Sequence, residues 1–98
     1  MIIRVVQMHF HREAVERVQS RLLAQAPKVR AFPGCLYLAL HRDAENSETF
    51  YAISHWESLE ALEAYRRSSL FRDFWAELKV CFARPARAFT LESPFLSL

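Results

Sequence analysis

The chain has 98 residues, 52% hydrophobic and 13% aromatic, and thirteen Lys and Arg against eleven Asp and Glu give it a formal charge of +2. That length holds one domain, residues 1–98, and the basic residues are scattered among acids, so a nucleic-acid surface is not indicated. A single glycine, Gly34, excludes the glycine-rich phosphate cradles of P-loop and Rossmann sites, which need several residues free to adopt positive φ.

The elements follow in chain order. Ile2–Phe10 is β-branched and apolar and too short for a stable helix, which predicts a strand with Val6, Met8 and Phe10 on one face and Ile3, Val5, Gln7 and His9 on the other. From Glu13 the apolar residues Val15, Val18, Leu22 and Ala26 recur at helical spacing, and Pro27 is expected to end this helix or to start a short turn over residues 28–32. Phe32, Pro33 and Gly34 punctuate the chain before a second strand, residues 35–41. Residues 43–48, all polar but for Ala44, read as a hairpin loop into a third strand, Thr49–Trp56. Ser58 is placed to cap a helix carrying Leu59, Leu62 and Tyr65, and Ser68 or Ser69 restarts it. The stripe Leu70, Phe71, Phe74, Trp75, Leu78, Cys81 and Phe82 is expected to run to a stop at Arg84 and Pro85. Residues 86–92 make a fourth strand, and Phe95, Leu96 and Leu98 form a tail in need of burial.

Strand, helix, strand, strand, helix, strand is the order of an α+β, ferredoxin-like βαββαβ fold: a four-stranded antiparallel sheet with helices on one face. Its other face, with Val5, Tyr51 and Ile53, is apolar enough to predict a second subunit packed against it. Cys35 and Cys81 are too few and too far apart for a disulfide framework or a zinc site and read as buried free thiols of a reducing, cytoplasmic setting. The first eight residues lack the pattern of a signal peptide. No run of about 18 apolar residues is present, so no membrane span is expected.

Several segments together resemble the antibiotic biosynthesis monooxygenase domain. They are Phe32-Pro33-Gly34-Cys35, Arg42-Asp43, Ser54-His55-Trp56-Glu57-Ser58 with the following Leu59-Glu60-Ala61-Leu62, Tyr65, and Ser69-Leu70-Phe71 with Trp75. The resemblance implies a homodimer whose two sheets face each other as a dimeric α+β barrel, with a pocket in each subunit between sheet and helices. Family members include cofactor-independent oxygenases of polycyclic phenols, quinol oxygenases and haem-degrading enzymes. Haem-degrading members use an Asn on the first strand, a Trp ending the third and an iron-ligating His on the last helix; the matching positions here are Val6, Trp56 and Trp75. An indole nitrogen donates only and cannot ligate iron, so haem degradation is disfavoured. The phenol-oxidising members place an Asn and a Tyr where this chain has Ala52 and Leu62.

Two function classes follow. The first is a cofactor-independent monooxygenase that passes electrons from a small aromatic or quinol-type substrate directly to dioxygen. Its pocket would be lined by Val6, Met8, Trp56, Tyr65, Phe74 and Trp75, with Trp56 the candidate catalytic residue and neither metal nor cofactor. The second is a dimeric ligand-binding or stress-related module that keeps the fold without the chemistry. His9 and His55 are also singled out: with the first and third strands read as adjacent and parallel, the two could meet near Gln7 as a base or a metal site, or as hydrogen-bonded interface histidines.

Overall fold

In the computed structural model, which describes all 98 residues, the β-branched start of the chain forms strand β1 (Ile2–Phe10) and leads through a 3-10 turn (Arg12–Ala14) into helix α1 (Val15–Arg30). Strands β2 (Cys35–Arg42) and β3 (Thr49–Trp56) make a hairpin, helices α2 (Leu59–Arg67) and α3 (Ser69–Lys79) follow, and β4 (Phe82–Glu92) ends the order. The sheet runs β2-β3-β1-β4 with every pairing antiparallel, the expected α+β ferredoxin-like fold. No helix is long and apolar enough to cross a membrane.

Local chemistry sets the boundaries. The Ser58 hydroxyl accepts from the Ala61 amide and caps α2, and the Ser68 hydroxyl accepts from the Phe71 amide and caps α3. In the hairpin loop the Asp43 carboxylate accepts from the amides of Glu45 and Asn46, which holds it below the ordinary aspartate range. Gly34 has φ +88°, and a Cβ there would stand 2.5 Å from the Cβ of Ala61, so both conformation and space require glycine.

Three expectations are corrected. Pro27 does not end α1, which continues to Arg30. Its missing N–H takes from α1 only the bond to the carbonyl of Leu23, which lies on the helix's exposed side. Strand β4 begins at Phe82, through Arg84 and Pro85, rather than at residue 86. It is an edge strand, and its register slips between Arg87 and Arg84, so Pro85 sits in a bulge where no ladder donor is demanded of it. Strands β1 and β3 are adjacent but antiparallel: His9 lies opposite Thr49 and His55 opposite Ile3, so the two histidines stand at opposite ends of the sheet and form no joint site.

The sheet's two faces differ row by row. On the open face, Ala39, Ile53, Val5 and Phe89 make one row across all four strands, and Tyr37, His55, Ile3 and Leu91 make the next; the third, His41, Tyr51, Gln7 and Arg87, is polar. On the helix side Met8, Phe10 and Phe50 pack with Ala14, Val18, Leu22, Leu78 and Cys81 in the main core, and Cys35, Trp56 and Leu62 form a smaller one. Both cysteines are free and buried. The tail residues Phe95 and Leu98 are fully exposed in the single chain.

Candidate functional site

The helix side of the sheet leaves a gap because its rows change in size. At one end stand Phe50 and Met8; at the other, Trp56 and Ile2. Between them come the row Ser54, Arg4 and Thr90 and the row Ala52, Val6 and Ala88, whose small apolar side chains leave the helices nothing to rest on. The result is a cavity of about 330 Å³ between sheet and helices, within the size range of small-molecule sites. Leu38, Leu40, Ala86 and Met8 complete the sheet-side lining, and Leu22, Ala26 and Val29 of α1 and Leu62 of α2 close it from above.

The remaining wall is aromatic. Tyr65, Phe71, Phe74 and Trp75 line the cavity from α2 and α3. Phe71 and Trp75, one helical turn apart, stack with centroids 5.6 Å apart and planes at 14°, while Tyr65 meets Phe71 edge-on at 5.2 Å. On its other side Tyr65 stacks on Trp56 at 4.9 Å. Burial pushes the Tyr65 phenol up to about 12, so it stays protonated as a hydrogen-bond donor and is no base near neutral pH.

Four further polar side chains reach the cavity: Arg4, Gln25, Ser54 and Arg66. Arg4 and Ser54 are cross-strand partners on β1 and β3, and Thr90 flanks Arg4 on the other side. The Arg4 guanidinium donates to the Thr90 hydroxyl at 2.6 Å and has no carboxylate partner; Glu63 is bonded to Arg66 instead. Burial and then the nearby positive charge of Arg66 lower the Arg4 pKa, yet a guanidinium remains charged. The Ser54 oxygen accepts from the Trp56 indole N–H at 2.9 Å, so its own O–H is free to donate. Gln25, only 6% exposed, makes no hydrogen bond within the chain, and none of its polar atoms is sealed away from the cavity space.

Of the expected pocket residues, Val6, Met8, Tyr65, Phe74 and Trp75 line the cavity, whereas Trp56 is 0% exposed and stands behind the lining. It is correspondingly no contact residue; it fixes Ser54 by hydrogen bond and Tyr65 by stacking. Ala52 and Leu62, matched to the phenol-oxidising pattern, also line the cavity. None of the four histidines is in the lining, which holds no Asp, Glu or Cys either. His9 instead belongs to a polar group at the end of β1, where Arg84 donates to its Nδ1 at 3.2 Å and Thr49 approaches the same nitrogen at 2.8 Å.

Sequence reasoning missed Arg4, Gln25, Ser54 and Arg66. A signal existed for three of them. Arg4 shares the inward parity of Val6 and Met8, Ser54 that of Ala52 and Trp56, and Gln25 sits three residues after Leu22 and four before Val29, on the buried stripe of α1.

A family model for antibiotic biosynthesis monooxygenase matches residues 1–77. A solved structure described as an antibiotic biosynthesis monooxygenase superposes with TM-score 0.89 at 19% identity, covering 96% of this chain and 99% of that one. A protein of Mycobacterium tuberculosis superposes with TM-score 0.89 at 18% identity over 99% of this chain and 98% of its own. A protein of Pseudomonas aeruginosa gives TM-score 0.83 at 24% identity over 95% and 93%. No curated protein matches the sequence.

Proposed function

This chain belongs to the antibiotic biosynthesis monooxygenase family, and on that footing we propose that it is a cofactor-independent monooxygenase of a small aromatic or quinol-type substrate. The observation that carries the reading is the cavity itself, with an aromatic wall opposite a floor of small residues, shaped for a flat ring. In the proposed reaction a ring carbon ortho or para to a hydroxyl gives up its hydrogen, the hydroxyl gives up its own, and one atom of dioxygen becomes the new carbonyl oxygen. The other oxygen leaves as water with both hydrogens, so the substrate is the reductant and none is needed from outside. The protein's part is to hold the ring against Phe71 and Trp75, exclude water and present donors to the oxygen that gains charge. Haem does not suit this lining, which offers no imidazole for the iron and has an indole, Trp75, at the position where haem-degrading relatives carry it.

The reading includes a homodimer in a reducing, cytoplasmic setting. The apolar row Ala39, Ile53, Val5 and Phe89, flanked by Tyr37, Ile3 and Leu91 of the next row, supports a second copy packed face to face, sheet on sheet, and the buried free thiols Cys35 and Cys81 suit a compartment that keeps them reduced. Oxygen uptake over hydroquinones, polyphenols and haem tests the activity. Wild type is expected to consume oxygen with a phenol or quinol, and Ala88→Phe, which fills the cavity, to lose that uptake while keeping its melting transition. Uptake unchanged by Ala88→Phe would overturn the assignment.

A second reading, a ligand-binding module without chemistry, draws on one observation: the lining holds no side chain that can act as a base near neutral pH. The same panel separates the two, since this reading gives binding without oxygen uptake.

A further inference from the structure

The polar groups of the cavity share one sign at one end. Arg4 brings a half-buried guanidinium whose only side-chain partner is the neutral Thr90. Its cross-strand neighbour Ser54 has one lone pair taken by the Trp56 indole N–H, and its own O–H, which has no partner in the chain, is available to the cavity. Arg66 adds a second guanidinium at the same end, close enough to Arg4 to act on it, and the one carboxylate nearby, Glu63, is engaged by Arg66 at 3.2 Å. Two guanidiniums against one carboxylate leave one positive charge uncompensated beside the half-buried Arg4. Free guanidinium N–H groups and the Ser54 O–H beside that charge fit an anion.

A further requirement comes from Gln25. The residue is 6% exposed, its amide has no partner in the chain and its polar atoms stay reachable where it lines the cavity, so the amide is free to bond a neutral oxygen on whatever fills that space. The rest of the lining includes the flat aromatic wall and the floor of Ala52, Val6 and Ala88.

We propose that the cavity takes an aromatic carboxylate, its anionic group held by Arg4 and the Ser54 hydroxyl with Arg66 at the rim, and a hydroxyl or carbonyl oxygen of its ring system bonded by Gln25. The proposal rests on the reading that this cavity is the ligand site, and adds to it the charge and polarity of the ligand. Trp56 is a positioning residue here: its N–H holds the Ser54 hydroxyl in place beside the cavity.

The test is calorimetric titration of the protein under nitrogen with two probes, α-naphthol and the hydroxynaphthoic acid that carries a carboxylate beside the same hydroxyl. A charge-assisted contact predicts that wild type binds the acid about tenfold or more tightly than α-naphthol. Arg4→Gln is expected to erase that preference by weakening the acid far more than α-naphthol, and Arg66→Gln, on the rim, to reduce it severalfold. Arg4→Lys keeps the charge and is expected to keep part of the preference, so a folded charge-bearing variant is available if Arg4→Gln melts early. Equal binding of the two probes, no binding of the acid, or a preference that survives both Gln substitutions would overturn the proposal. Because no oxygen is present, a clear preference for the acid in a protein that later consumes no oxygen would stand for this inference and against the monooxygenase reading alone; oxygen uptake with α-naphthol and no preference for the acid would do the reverse.

Discussion

The indole N–H of Trp56 donates to the Ser54 hydroxyl at 2.9 Å, and this bond joins a fully buried ring to the wall of the cavity. The most distinctive aromatic of the sequence therefore works through its neighbours: Ser54 on its own strand and Tyr65, on which it stacks. Ser54→Ala leaves the indole N–H buried without an acceptor, and the expected cost is about 1–3 kcal/mol. Urea unfolding of wild type and Ser54→Ala measures it, and an unchanged midpoint would show that the bond contributes nothing.

Gly34→Ala is expected to destabilise more than a surface substitution does. Positive φ costs an L-residue about 1–2 kcal/mol, and the new Cβ would meet Ala61 at 2.5 Å. Pairing it with Ala61→Gly removes the collision but not the backbone cost, so the double variant should recover part of the lost stability after allowance for Ala61→Gly alone. Full recovery would mean that the collision alone matters, and none that the backbone alone does.

The buried phenol makes a prediction about alkaline pH. Burial raises Tyr65 to about 12, above the ordinary value of 10, so the folded state holds a proton that the unfolded chain releases earlier. Its contribution is complete below pH 10 and is lost as the pH rises toward 12. Thermal melts across that range should fall more steeply for wild type than for Tyr65→Phe; parallel curves would place the phenol in contact with water.

His9 predicts the opposite end of the scale. Burial lowers its pKa, the Arg84 charge lowers it further, and Asp43 opposes both. The neutral ring is thus favoured in the folded state, and its contribution is complete above the ordinary histidine range and shrinks as pH falls through about 6.5. Proton NMR should find His9 titrating below that value, and Arg84→Gln should move it upward. A His9 that titrates at or above the ordinary value in wild type contradicts the geometry in which Arg84 donates to Nδ1.

The proposed dimer rests on rows that cross the whole open face, and Ile53 lies in one of them between Ala39 and Val5. Ile53→Glu would set buried carboxylates against each other in a two-fold interface. Light scattering on the eluted protein should give twice the chain mass for wild type and the single mass for Ile53→Glu; a monomeric wild type would remove the dimer from the account.

Much of this was legible in the sequence because alternation and helical spacing are local signals. Val6 and Met8 fall on the buried parity of β1, and Tyr65, Phe74 and Trp75 on the buried stripes of α2 and α3, so their place in the lining could be read directly. What could not be read locally was strand direction and register. The hypothetical meeting of His9 and His55 depended on β1 and β3 running in parallel, and the antiparallel pairing separates them by the length of the strand. Trp56 shares the parity of Ala52 and Ser54, but it sits at the end of β3 beneath Phe32 and Tyr65, which seal it. Arg4 and Gln25 were hidden for a different reason: a polar residue on an apolar face breaks the pattern that finds the face, and the cavity beneath them arises from small residues on strands distant in sequence.

If the cavity brings an aromatic substrate and dioxygen together without a cofactor, labelled oxygen shows it most directly. Wild type and Ala88→Phe are incubated under isotopically heavy dioxygen with the phenol or quinol that gives the fastest uptake, and the product is weighed by mass spectrometry. The account predicts one heavy oxygen atom in the product, one dioxygen consumed for each substrate, and neither in Ala88→Phe. Product oxygen drawn from water, or equal labelling in the cavity-filled variant, would contradict it.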